Sequence, residues 1–408
     1  MSLYLSIILL IVILDFLWTQ YLAYRNRTRM SPEIPSQLEG IYDKEEYIKQ
    51  QAYQKVNSRF SLYTSLFSFV ILLFVLCLGL FGWLDELLRQ YISNEIFLSL
   101  AFFGIVYLLN EIISLPFAYY STFVIEERFG FNKSTTKIFW LDQLKGLLLA
   151  ALLGGAVLSL IIWLYDTLGV NAWLYAWGAV TVFSLFMTLF YSNIIVPLFN
   201  KQTPLEEGEL RDAIEAFAQK AGFAINNIYV MDASKRSTKA NAYFTGFGAK
   251  KRIVLFDTLI NDLDKDEIVA VLAHEIGHYK KKHTLQGMFI SICYTGIMLF
   301  LLSLLLDNKD IAVALGGQSA SFHLGLIAFS IFFTPVSFVI NMLSSIHSRK
   351  NEYQADSYAA GFGLADSLIS GLKKLSVKSL SNLNPDSLYV FFNYSHPTLL
   401  QRIKAIKK

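Results

Sequence analysis

"SLYTSLFSFVILLFVLCLGLFGWL", residues 61–84, carries no charged side chain across its whole length. A helix needs about 20 apolar residues to cross the hydrocarbon core of a bilayer, so this stretch reads as a membrane span. Working outward, the same signature recurs near 2–19, 97–120, 146–166, 172–196, 285–306 and 321–345, which makes seven spans with the first stretch. The bulk composition agrees: 54% of the 408 residues are hydrophobic and only 16% charged, against about 25% charged in soluble domains. The chain is expected to be an all-α polytopic membrane protein with seven transmembrane helices.

Lys and Arg are distributed very unevenly. Alternate loops, taken from the segment after the first span, hold 33 of the 35, and the opposite loops keep only Arg89 and Lys309. By the positive-inside rule the N-terminus lies outside and the C-terminus inside. Basic charge follows the first span ("YRNRTRM", 24–30) rather than preceding it, so that span reads as an uncleaved anchor and not a signal peptide. Cys77 and Cys293 both fall within spans, which leaves no disulfide framework and no cysteine-based metal site.

The chain divides into four parts: 1–196 with spans one to five, a polar segment 197–284, spans six and seven in 285–345, and a polar C-terminal segment 346–408. Residues 20–60 add an amphipathic helix, "EEYIKQQAYQKVNSR". The inner-side segments are each too short to fold alone and are expected to pack as one inner-facing domain. Within 197–284, "EGELRDAIEAFAQKAG" (207–222) is helical and "NIYVMD" (227–232) is a strand. "KANAYFTGFGAKKRIVLFD" (239–257) reads as a hairpin turning near Gly248-Ala249-Lys250. In "LLAALLGGAV" (148–157), Gly154 and Gly155 are expected to mark close helix packing.

"DLDKDEIVAVLAHEIGHYKKKH" (262–283) is a helix with an acidic start and a basic end, as the macrodipole favours. Residues i and i+4 share a helix face, so His274 and His278 can offer both imidazoles to one ion, with Glu275 about 100° round the helix. Two neutral nitrogens with an adjacent carboxylate suit Zn(II) and a general base. A third ligand is then needed, and Glu352 in "SRKNEYQADSYAAG" (348–361) can supply it. Asp356, one turn on, can accept a hydrogen bond from the free ring nitrogen of His274 or His278. "NYSHPT" (393–398) reads as a loop that makes His396 a candidate oxyanion donor, and "NAYFTGF" as an edge strand whose Asn241 would hold a peptide backbone. His283 falls off the metal face and reads as a helix-end cap and His323 as an interfacial residue, while His347 either approaches the site or simply marks the membrane boundary.

These motifs together, HEIGH, "SRKNEYQAD" and the late "SHP" (395–397), resemble the type I CAAX prenyl endopeptidases, integral-membrane zinc metalloproteases. "EERFGFNKST" (126–135), "PLFNKQTPLEEGEL" (197–210) and "KANAYFTGF" (239–247) extend the resemblance along essentially the whole chain. It implies one catalytic zinc on His274, His278 and Glu352, with Glu275 as general base. It further implies substrate contacts from Asn241 and His396, and support from Arg349, Asp356 and Arg402. The fold implied is a ring of seven helices around a large chamber with the zinc at its inner end. The activity implied is removal of a C-terminal tripeptide after a prenylated cysteine.

The substrate expected is therefore a peptide or protein with a prenylated CAAX C-terminus, met in the lipid bilayer, and no nucleic-acid partner is expected; the oligomeric state is not legible. The brief 307–320 loop and an end, "IKAIKK", without a retrieval signal favour a bacterial inner membrane, or the endoplasmic reticulum if the host is eukaryotic. Two other readings compete. One is a quality-control protease for unprenylated membrane polypeptides. The other is a transporter with a structural metal, which the missing internal repeat and the presence of Glu275 disfavour. Sidedness is directly testable: a thiol placed in the 85–95 loop should react with an impermeant label from outside intact cells. Labelling only after lysis would invert the topology.

Overall fold

The computed structural model describes residues 2–31, 33–223, 227–245, 252–306 and 308–408. Among these, five helices are long and apolar enough to cross a membrane, six if a pair bent by 53° at Phe333 counts as one. The seven separate spans expected are met only when the longest, Thr136–Phe199, is divided. Its 64 residues would reach about 96 Å as one straight helix, roughly three bilayer cores. Instead the chain reverses at Gly169, whose φ of 57° and ψ of −136° suit only glycine, and Gly155–Leu168 packs back on Ala172–Ile194.

Boundaries also move. Span two does not begin at 61: the amphipathic segment and the apolar one form one helix, Lys44–Cys77, because no residue between them breaks it. It stops at Gly79, in a left-handed conformation, and 80–84 belong to a separate short helix, Leu80–Arg89. Gly154 and Gly155 correct another expectation. A Cβ on either would meet nothing within 4 Å, and the pair ends a π-helical turn, Ala150–Gly154, that widens the helix rather than packing it.

The spans close into a ring. Leu3–Thr28 packs on Lys44–Cys77, with Phe16 stacked on Phe69 at 4.0 Å, and Phe67 of that second helix meets Phe117 of Glu95–Tyr120. Glu95–Tyr120 touches Gly155–Leu168, and Ala172–Ile194 meets His283–Ser303 where the Trp177 indole donates to the Ile292 carbonyl at 2.8 Å. Phe322–Phe332 then joins His283–Ser303 to Leu3–Thr28 and completes the circle. In the most apolar stretch of the five unbent spans only 6–17% of residues are buried, so most of their side chains are left for lipid or an open interior.

One end of the ring is capped by Leu80–Arg89 and Lys309–Ala314, which pack with Ile8, Leu76, Phe102 and Leu324. Gly82 lies so close to Gly316 that its amide donates to the Leu315 carbonyl at 2.9 Å. Beneath, His323 sits at the end of its span, fully buried and bonded to Asp85 at 2.7 Å and Ser99 at 3.0 Å, so a polar cluster within the protein surrounds it.

At the other end sits a domain whose main core is shared by residues from 205–276 and 359–368. Its four strands are β1 (Gln202–Pro204), β2 (Asn227–Met231), β3 (Ala242–Thr245) and β4 (Arg252–Phe256), in the order β1-β2-β4-β3. The β3–β4 pair is antiparallel, as the hairpin reading requires, while the expected turn at Gly248-Ala249-Lys250 lies outside the described residues. β2 and β4 run parallel, and β3 is left as an edge. The contrast between glycines can be measured. Gly82→Ala would place a Cβ 1.9 Å from the Gly316 carbonyl carbon and should cost about 1–3 kcal/mol, read as a lowered melting temperature in detergent. Gly154→Ala, in open space, should leave that temperature unchanged or raise it.

Candidate active site and metal centre

Helix Lys265–Lys280 starts in a capping box, where the Asp264 amide donates to Glu267 Oε2 at 2.9 Å. Glu267 is tied in turn to Ser370 and Lys374. Nine of the helix's 16 residues are buried, His274 among them at 6% exposure, so this is a core helix and not a solvated surface one. It crosses helix Thr334–Ala360 at very close range. A Cβ on Gly277 would stand 3.1 Å from Ala355 Cα and from Tyr358 Cβ, a separation that only a glycine accommodates without movement.

That crossing brings Glu352 to both histidines. His274 Nε2 and His278 Nε2 lie 3.1 Å apart, with Glu352 oxygens 3.5 Å and 3.3 Å from them respectively. One donor atom from each of the three residues falls within 4.8 Å of the others. Asp356 Oδ1 accepts from His274 Nδ1 at 2.9 Å, so the His274 proton sits there and Nε2 is a bare lone pair. Arg402 holds Asp356 through two bonds, Nη2 to Oδ1 at 2.6 Å and Nε to Oδ2 at 2.9 Å. Among the described residues Glu352 Oε2 is buried without a hydrogen-bond partner, and Arg402 Nη1 stays 3.7 Å away. An orphaned carboxylate oxygen facing a bare imidazole nitrogen is unfavourable in a dry site, and a cation between them removes the cost. The donor set fits a metal ion.

The remaining predicted residues are placed as follows. Glu275 lines the same cavity of about 760 Å³. Burial pushes its carboxyl above the ordinary carboxylate range, against the opposing pull of His274 and His278. His396 stands over Glu352, with Nε2 3.2 Å from Oε1 and its side chain 65% exposed. Asn241 lines the cavity at the start of β3, and its side-chain oxygen accepts from the Ala242 amide at 2.9 Å. Arg349 reaches none of these groups. It donates to the carbonyl of Tyr394 at 2.5 Å and so braces the loop that carries His396.

Of the two readings of His347 the structure favours the approach to the site, since it lines the cavity and its buried Nε2 has no partner among the described residues. His283 departs from the sequence reading. His283 is not a helix cap: its Nδ1 lies 3.0 Å from His278 Nδ1 and its Nε2 2.9 Å from Gln354 Oε1. Helical periodicity continued past Lys280 misplaces it, because Lys282 takes a left-handed turn (φ 60°) that folds His283 back beneath the motif.

Comparison with known proteins places this geometry. Residues 204–408 match peptidase family M48, and residues 23–201 match the family described as CAAX prenyl protease N-terminal, five membrane helices. CAAX prenyl protease 1 of Saccharomyces cerevisiae is 35% identical over 97% of this chain and 93% of its own length. The CAAX prenyl protease 1 homolog of Oryza sativa is 36% identical over 99% and 97%, and that of Homo sapiens 34% over 96% and 93%. The crystal structure of S. mikatae Ste24p covers the whole of both chains at 33% identity, with a TM-score of 0.95. With relatives aligned along nearly its full length and a fold that superposes from end to end, the chain belongs to the CAAX prenyl protease family of M48 metallopeptidases and is a multi-pass membrane protein.

Proposed function

We propose that this chain is a zinc endopeptidase that releases the C-terminal tripeptide after a prenylated cysteine. The observation that carries the reading is the convergence of His274, His278 and Glu352 on one point, with Glu275 on the same cavity wall. The names of the relatives supply the substrate class. Zinc held by those three residues would polarise the scissile carbonyl and draw the pKa of a bound water down towards about 7.

The chain's own groups then have distinct tasks. Glu275 takes the proton of the attacking water and later hands it to the leaving amine, a role that its raised pKa suits. His396, exposed above Glu352, donates to the developing oxyanion, a contact typically worth about 3–4 kcal/mol. A peptide adds along the free edge of β3, with Asn241 gripping its backbone. Asp356 and Arg402 hold His274 in its tautomer, and Arg349 steadies the His396 loop.

Residues 197–284 and 346–408 act as one catalytic unit in this reading, set on the membrane segments 1–196 and 285–345. The concentration of Lys and Arg on the catalytic side supports a cytoplasmic active site with the N-terminus outside. The brief 307–320 loop supports a bacterial inner membrane.

The test is a farnesylated CAAX peptide and its unprenylated twin, incubated with purified protein and read by mass spectrometry. Tripeptide release from the farnesylated form is expected, and Glu275→Ala should lower it by about 10²–10⁴-fold while leaving metal bound. Equal cleavage of both peptides would keep the hydrolytic chemistry and move the substrate to unprenylated membrane polypeptides. Glu352→Ala should reduce metal content, and an unchanged stoichiometry would remove Glu352 from the ligand set.

A further inference from the structure

We propose that His283 and Gln354 form a hydrogen-bonded relay that fixes the tautomer of His278 and thereby sets how tightly the site holds zinc. The proposal rests on the metal reading above. Proton accounting leads to it. Between His278 Nδ1 and His283 Nδ1, 3.0 Å apart, one nitrogen must donate and the other accept. The His283 Nε2 proton goes to Gln354 Oε1, 2.9 Å away, so a neutral His283 presents a lone pair at Nδ1. His278 must then carry its proton on Nδ1, which bares Nε2 towards His274 and Glu352.

The two histidines of the motif are thus backed differently. A carboxylate clamped by Arg402 orients His274, whereas a neutral imidazole–amide pair orients His278. A neutral acceptor sets the tautomer without adding a negative charge beside Glu275 and Glu352. The backbone is built for this contact. Lys282 adopts a left-handed conformation that non-glycine residues rarely take, and the turn delivers His283, 6% exposed, against His278 with ring centroids 5.0 Å apart. Gln354 lies between Glu352 and Asp356 on one helix, so that helix provides a ligand and the outer partners of both histidines.

The test is zinc affinity, measured on the full-length protein in detergent by chelator competition, together with the rate of zinc release. His283→Phe keeps a ring but removes the acceptor, and should weaken zinc binding about 10–100-fold. His283→Asn puts an amide oxygen where Nδ1 stood and should recover most of the loss. Gln354→Leu, one bond further out, should show a smaller loss in the same direction, and it decides the matter if His283→Phe does not fold. Zinc bound as tightly by His283→Phe as by the wild type would overturn the proposal, and so would equal weakening by Phe and Asn, which would mark a packing role. A wild-type protein that holds no zinc would overturn instead the metal reading beneath it.

Discussion

The close crossing of the HEIGH helix over helix Thr334–Ala360 governs the geometry of the site. Gly277 and Ala355 are the residues that permit it, since a Cβ at 277 would press on Ala355 and Tyr358 at 3.1 Å and require them to give. At that distance Glu352 reaches His274 and His278, Asp356 reaches His274, and Gln354 reaches His283. Three alternate residues on one helix therefore depend on a crossing with no spare room for a side chain at 277. Small residues where backbones must meet and long polar ones where they must reach is a packing solution, and the chemistry follows from it.

The membrane part obeys the opposite rule. Its helices leave most of their apolar surface unpacked within the chain and are tied to one another by pairwise contacts around the ring and by its two ends. At the far end the cap places charge at zero exposure: Asp85 is shared by His323 and Arg89, and Arg89 also binds Glu95. Buried charges persist only when paired and hydrogen-bonded, and here the pairing ties Leu80–Arg89 to the spans that begin at Glu95 and Phe322.

Much of this was legible in the sequence, for identifiable reasons. Long apolar runs need no tertiary information to be seen, and the i, i+4 spacing of His274 and His278 puts them on one face of any helix. The acidic start and basic end of 262–283 mark that helix to within three residues at either end, since it spans Lys265–Lys280. The failures share a physical origin in backbone turns that residue type does not announce. Lys282 in a left-handed conformation hid His283, and Lys44–Cys77 continues unbroken from polar into apolar sequence, whereas the reversal at Gly169 falls between the two spans as read. β1, three residues long, carries no periodicity at all. Arg402 could be named only through family resemblance, because nothing local ties it to His274, 128 residues away.

That separation along the chain has a consequence for biosynthesis. The first span must wait for Phe322–Phe332 before the ring can close, and His274 must wait for Asp356 and then Arg402. A nascent chain extended only as far as the HEIGH helix has two histidines, no third ligand and an open circle of helices. On the reading proposed here, hydrolytic power is withheld through the whole of membrane insertion and arrives at the last step of assembly, which spares the partly made protein and its neighbours from premature cutting.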